Sequence, residues 1–185
     1  MTYGARSGGY PSTSKWLHWL IAACVLTMIP IGIVMGRVGQ GPMQDTLYLL
    51  HKSFGILILA LMLLRLLNRF VVGAPAPEPS LARWQRAAAS ATHGLLYGLL
   101  LLMPLGGWLA NSAYGAATPF FGLFELPNLV PKDRALADKL FAGHRLMGIV
   151  VAAIVLVHIG AALQHFFFHR DRVLQRMLPR AIGGD

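Results

Sequence analysis

Two histidines, His144 and His158, stand fourteen residues apart in the last apolar stretch of the chain, and Arg145 is the one charged side chain between them. At about 1.5 Å and 100° per residue, fourteen helical steps rise roughly 21 Å and return to within about 40° of the starting face. Both imidazoles then point the same way, one near each side of a bilayer core about 30 Å thick. Ionisable groups at that depth are costly and usually functional, and imidazole is an iron ligand in haem proteins. His18 and His51 lie in two other apolar stretches, at depths that meet this pair. Taken singly, each is more simply a hydrogen-bonded core residue. Four at matched depths in 185 residues point to metal ligation.

A b-type haem between helices needs an imidazole from each side and room beside each ligand for a flat macrocycle. Residue i+4 shares the helical face of residue i, and the four histidines are followed at that spacing by Ala22, Gly55, Gly148 and Ala162, all small. His93 and His165 are followed instead by Tyr97 and His169. A short echo supports a common role: His51-Lys52-Ser53-Phe54-Gly55 and His144-Arg145-Leu146-Met147-Gly148 share histidine, a basic residue, two others and glycine. Both open helices that run inward from the outer face. Depth pairs His51 with His144 at an outer level and His18 with His158 at an inner one, with His93 a depth-matched rival to His18. A histidine-based zinc or copper transporter is an alternative, but transport sites gather ligands at one midplane level and recruit carboxylates. No Asp or Glu lies within the apolar stretches, and the histidines divide into two levels.

The elements that must position these residues are four apolar stretches: Trp16 to Met35, Thr46 to Leu67, Ala87 to Trp108, and Gly143 to Phe168. Each is near the roughly 20 residues that span a bilayer. With 56% hydrophobic and 12% charged residues, the chain is too apolar for an ordinary soluble domain, where about a quarter of residues are charged. The expectation is all-α: one domain over residues 1–185, an integral membrane four-helix bundle holding two b haems. Pro30 and Pro104 fall inside the first and third stretches, where neighbouring helices can cover the freed carbonyls. No small-residue cleavage site ends the first apolar run, so it reads as an uncleaved helix and not a signal peptide. The lone cysteine, Cys24, excludes an internal disulfide and a C-x-x-C-H covalent haem attachment; a small core residue is its plainer reading.

The net charge of +9 does not form a basic stripe interleaved with aromatics, so nucleic acid is not an expected partner. The basic residues flank the membrane stretches instead. Arg6, Lys15, Arg65, Arg69, Arg83, Arg86, Arg170, Arg172, Arg176 and Arg180 collect on the side of the termini, against Arg37, Lys52, Lys132, Arg134, Lys139 and Arg145 on the other. Ten against six places both termini in the cytoplasm by the positive-inside rule. The link Gly73-Ala74-Pro75-Ala76-Pro77-Glu78-Pro79 reads as a stiff, extended spacer. The outer run from Asn111 to Asp138, rich in Pro and Phe, is expected to lie on the membrane surface or cap the bundle. Asp133 is a candidate helix cap.

These residues resemble the bacterial cytochrome b561 family, small di-haem membrane cytochromes that include superoxide oxidase. The resemblance runs from about Trp16 to Pro179. It rests on His18-Trp19, on His51 opening the second helix, on Arg65-Leu66-Leu67-Asn68-Arg69, on the spacing of His144 and His158, and on Leu174-Gln175-Arg176-Met177-Leu178-Pro179. It implies His18, His51, His144 and His158 as haem b ligands, electron transfer across a bacterial inner membrane, and a quinone partner, with ubiquinone expected. Related cytochrome b subunits of hydrogenases and formate dehydrogenases share this plan and take electrons from a soluble partner, so a membrane-anchor subunit is the second reading.

With two imidazoles on each iron, no coordination position is open, and the expected role is electron relay. At the outer end, Lys52 and Arg145 each follow a proposed ligand; they can pair with haem propionates or lipid phosphates, or draw a small anion such as superoxide toward the outer haem. At the inner end, His165 lies seven residues beyond His158, on nearly the same face and about 10.5 Å further inward. It can contact lipid headgroups, or hydrogen-bond a quinone carbonyl and deliver a proton. The expected function is therefore an inner-membrane di-haem oxidoreductase moving electrons between an outer donor, superoxide or a periplasmic redox partner, and ubiquinone.

Overall fold

The computed structural model describes residues 9–179; Arg6 and Arg180, counted above in the charge balance, lie outside them. Four helices follow one another: α1 (Ser12–Val34), α2 (Pro42–Val72), α3 (Arg83–Tyr114) and α4 (Arg134–Gln164), the last continued by a π-helical turn, His165–His169. All four are long and apolar enough to cross a membrane. They also run past the apolar stretches. The 31 residues of α2 rise about 46 Å, because backbone hydrogen bonding continues until a local signal stops it. Pro42 starts that helix and Gly73, at φ 77°, ends it. Asp133 caps α4 by accepting the Leu136 amide at 3.0 Å, and Gly115, left-handed at φ 80°, closes α3.

Close packing joins α1 to α2, α2 to α3, and α3 to α4. Ile21, Cys24 and Val25 of α1 meet Ile58, Leu61 and Met62 of α2 in the buried core, so Cys24 is a small core residue. The outward faces carry large apolar side chains, Leu146, Ile149, Leu156 and Val157 on α4 among them, as a lipid solvent requires.

At one end, between α3 and α4, the chain forms an antiparallel hairpin, β1 (Thr118–Phe120) and β2 (Phe124–Leu126). Its turn has positive φ at both central residues, Phe121 (49°) and Gly122 (73°), which matches the twist of the flanking strands. An aromatic residue in the left-handed region is strained, and α2 holds it there. The Phe121 amide donates to Ser53 Oγ at 2.8 Å and its ring sits 5.3 Å from that of Phe54. Ser53 Oγ donates to the Pro119 carbonyl at 3.3 Å, and Lys52 Nζ to the Ala117 carbonyl at 2.9 Å. Buried Asn111 gathers the same loop through the Ala116 and Ala117 carbonyls and Thr118 Oγ1. The Pro- and Phe-rich run therefore caps the bundle, and it does so with strands that an all-helical reading leaves out.

At the opposite end the segment after the π-turn folds back on the bundle. Trp19 Nε1 donates to the Met177 carbonyl at 2.9 Å, and the Tyr10 amide to the Arg176 carbonyl at 3.0 Å. Arg176 donates to the Ala76 carbonyl at 2.6 Å and lies 3.6 Å from the Glu78 carboxylate. The Pro-rich link is thus tied to the C-terminal segment and is not a free spacer.

Candidate functional site

The histidines meet in pairs at two levels. At the hairpin end the rings of His51, on α2, and His144, on α4, have centres 6.0 Å apart and planes at 77°. At the end of the termini His18, on α1, and His158, on α4, have centres 6.2 Å apart at 78°. Two imidazoles ligating one metal from opposite sides, at metal–nitrogen distances of about 2.0–2.1 Å, put their ring centres about 6 Å apart. Both pairs have that spacing. Neither pair spans closely packed helices: α4 packs against α3, and the imidazoles bridge from α4 across to α2 and α1. All four side chains are half-buried. The Nδ1 atoms of His51 and His144 are fully buried; that of His51 has no hydrogen-bond partner among the described residues, and His144 has a weak one in the Met103 backbone, so the protein itself leaves polar atoms of the hairpin-end pair poorly satisfied.

His93, on α3, joins the second level, its ring centre 5.5 Å from that of His158. It is exposed where His18 is half-buried, and its spacing is shorter than that of two ligands on one metal. The guanidinium of Arg65 lies 5.7 Å above the Tyr97 ring and donates to the Ser14 carbonyl at 2.8 Å. With Tyr10, Asn68 and Arg69 these residues line a small polar pocket at the end of the termini.

Each pair has the spacing that two imidazoles on one metal need. The model for prokaryotic cytochrome b561 matches residues 9–180. The chain belongs to that family. Among its relatives is cytochrome b561 homolog 2 of Escherichia coli K12, 34% identical over 93% of this chain and 92% of the relative. Cytochrome b562 of Cereibacter sphaeroides is 30% identical over 93% of this chain and 97% of the relative. A "probable superoxide oxidase CybB" of Yersinia pestis is 28% identical over 90% of this chain and 94% of the relative. The protein is a bacterial membrane b-type cytochrome of electron transfer.

The charged residues singled out in the sequence take different places in this cytochrome. Lys52 turns to the hairpin carbonyl of Ala117, whereas Arg145, one step along from His144, is exposed. His165 does not project freely. Its Nδ1 lies 2.5 Å from Asp171 Oδ2, the two side chains are 14% and 11% exposed, and its ring stacks 4.9 Å from that of His169. Asp171 escapes a reading by helical spacing, because a residue six positions on lies off the face of an α-helix. The π-turn and the left-handed Arg170, at φ 51°, bring it back.

Two glycines also escape that reading. A Cβ on Gly32 would stand 3.2 Å from His51 Cε1, and one on Gly107 would stand 2.9 Å from His144 Cε1. Gly55 and Gly148, singled out as room for a macrocycle, face the methyls of Met28 and Met103, each 3.8 Å from where a Cβ would be. The signal available was a repeat: Met28 and Gly32 bracket Pro30 on α1, and Met103 and Gly107 bracket Pro104 on α3.

Proposed function

We propose that the protein holds two b haems, one between His51 and His144 and one between His18 and His158, and passes electrons between a donor at the hairpin end and ubiquinone at the end of the termini. The observation that carries this reading is the pair of imidazole couples with ring centres 6.0 and 6.2 Å apart, stacked along α4. Bound haem supplies a reversible one-electron iron couple. With two imidazoles for each iron, the four histidines would leave no coordination position open for oxygen.

The ten-to-six bias of basic residues supports a topology with the termini in the cytoplasm and the hairpin outside. On the outer side Arg145 and Lys52 set a positive field beside the first histidine pair. The name of the Yersinia relative makes superoxide the donor to test first. On the inner side Asp171 holds His165 through Nδ1, which leaves Nε2 to take a proton from water and give it to a quinone carbonyl. His18, His51, His144 and His158 serve as ligands, and His165 serves the quinone.

Haem stoichiometry and single-ligand variants test the assignment. Pyridine haemochrome analysis is expected to give two haems per chain. His51→Ala and His144→Ala should remove the same haem and spare the other, with His18→Ala and His158→Ala removing the second. One haem per chain, or a second haem lost in His93→Ala and kept in His18→Ala, would refute it.

A further inference from the structure

A histidine that ligates a metal ordinarily donates its free ring N–H to a carboxylate or carbonyl, and that bond fixes the plane of the ring. His51 lacks this anchor, since its buried Nδ1 meets no hydrogen-bond partner among the described residues, whereas the backbone of Met103 offers His144 a weak one. At His51 something else must set the ring plane, which stands at 77° to that of His144. The Cε1 and Nδ1 edge of each ring lies against a glycine of a neighbouring helix. For His51 it is Gly32 on α1, whose absent Cβ would be 3.2 Å from Cε1 and 3.6 Å from Nδ1. For His144 it is Gly107 on α3, where the distances would be 2.9 and 3.3 Å.

The arrangement occurs twice with the same parts. Each glycine follows a methionine by four residues across a proline-bearing turn. Each methionine, Met28 or Met103, packs over the glycine four residues beyond the histidine, Gly55 or Gly148. The pair α1–α2 thus repeats in α3–α4, and a contact formed independently on two helices is a property of the site and not of one local packing defect.

We infer that Gly32 and Gly107 are positioning residues that fix the planes of His51 and His144 by backbone contact, in place of the usual hydrogen bond at His51 and beside the weak Met103 contact at His144. This rests on the proposed hairpin-end haem. In a bis-imidazole haem the angle between the two ligand planes governs the spectrum of the oxidised iron: near-perpendicular planes give one broad, strongly anisotropic low-spin resonance, and near-parallel planes give a resolved rhombic one. A methyl at either glycine must turn the ring it meets. Gly107 is the tighter contact, so Gly107→Ala turns its ring further than Gly32→Ala.

The test is low-temperature electron paramagnetic resonance and a redox titration of the full-length protein in detergent. His158→Ala is the background, so that the hairpin-end haem is observed alone. The parent is expected to give the anisotropic signal. Gly107→Ala should shift it toward the rhombic form and move the midpoint potential, with Gly32→Ala doing the same to a smaller degree. Gly106→Ala, whose Cβ would meet only the Met147 methyl at 3.9 Å, should match the parent. If Gly107→Ala loses the haem and Gly106→Ala keeps it, the shift in Gly32→Ala decides. Haem-loaded Gly32→Ala and Gly107→Ala with the parent's signal and potential would overturn the inference while leaving the haem assignment standing. A hairpin-end haem that survives His51→Ala would overturn both.

Discussion

Replacing Asp171 by asparagine keeps the shape of its side chain and removes its charge, and so probes what His165 does at the end of the termini. The contact is short, at 2.5 Å, and both partners are nearly buried, 14% and 11% exposed, so solvent screens it little. Asp171 Oδ1 also accepts the Val173 amide at 3.0 Å, which an amide oxygen can still do, and the turn should therefore survive the change. What is lost is a charge-assisted hydrogen bond, of a kind that contributes about 1.5–3 kcal/mol. If His165 hands a proton to the reduced quinone, that loss appears in the step where charge moves onto the imidazole. Roughly ten- to a hundredfold in rate follows, at about 1.4 kcal/mol per decade. The assay is stopped-flow reoxidation of the pre-reduced protein by a soluble ubiquinone analogue, followed in the visible haem bands. Asp171→Asn should reoxidise slowly with its absorption spectrum unchanged, and His165→Ala should be at least as slow. Reoxidation of both variants at the parent rate would refute the reasoning and return His165 to an interfacial role, with the polar pocket of Arg65, Arg69 and Tyr97 the next place to look for the quinone.

Two further outcomes follow from the hairpin end. Lys52→Gln combined with Arg145→Gln should slow reduction of the proposed hairpin-end haem by superoxide and flatten its dependence on ionic strength, because salt screens the same field that the two cations create. Since Lys52 Nζ is committed to the Ala117 carbonyl and Arg145 is exposed, Arg145→Gln alone should carry most of the effect; a salt dependence unchanged in the double variant would count against anion steering. Ser53→Ala should loosen the hairpin, because the fully buried hydroxyl satisfies both the Phe121 amide and the Pro119 carbonyl, and stranding such groups costs about 1–3 kcal/mol. Amide exchange at Phe121 should then speed up by roughly ten- to a hundredfold if the hairpin opens as a unit, and parent-like protection there would show that α2 does not hold the turn.

Much of the bundle was legible because a membrane makes sequence simple. A segment in hydrocarbon must satisfy its own backbone, so long apolar runs mark helices, and depth along each run then places His18, His51, His144 and His158 at two levels. What stayed hidden depends on contacts that no helical period encodes. The hairpin needed Ser53 to hold Phe121 in a conformation unfavourable for an aromatic residue, and nothing local in Pro119-Phe120-Phe121-Gly122 announces a partner 68 residues away. Asp171 reaches His165 only because α4 relaxes into a π-turn before it ends. The Pro-rich link, extended by its own composition, is anchored by Arg176 a hundred residues on.

The glycines show the same limit from the other side. Spacing on one helix asks which residue lies above a histidine, and it returned Gly55 and Gly148. The residue that touches the ring comes from the neighbouring helix, and the crossing of two helices decides it. That crossing is written in the sequence only as a repeat between α1 and α3, Met28 to Gly32 and Met103 to Gly107, on the two helices that carry neither His51 nor His144. In this bundle, then, α2 and α4 supply the hairpin-end imidazoles while α1 and α3 supply the surfaces against which those imidazoles lie. A substitution on α1 or α3 that leaves every histidine in place can still change how the hairpin-end pair presents itself to a metal.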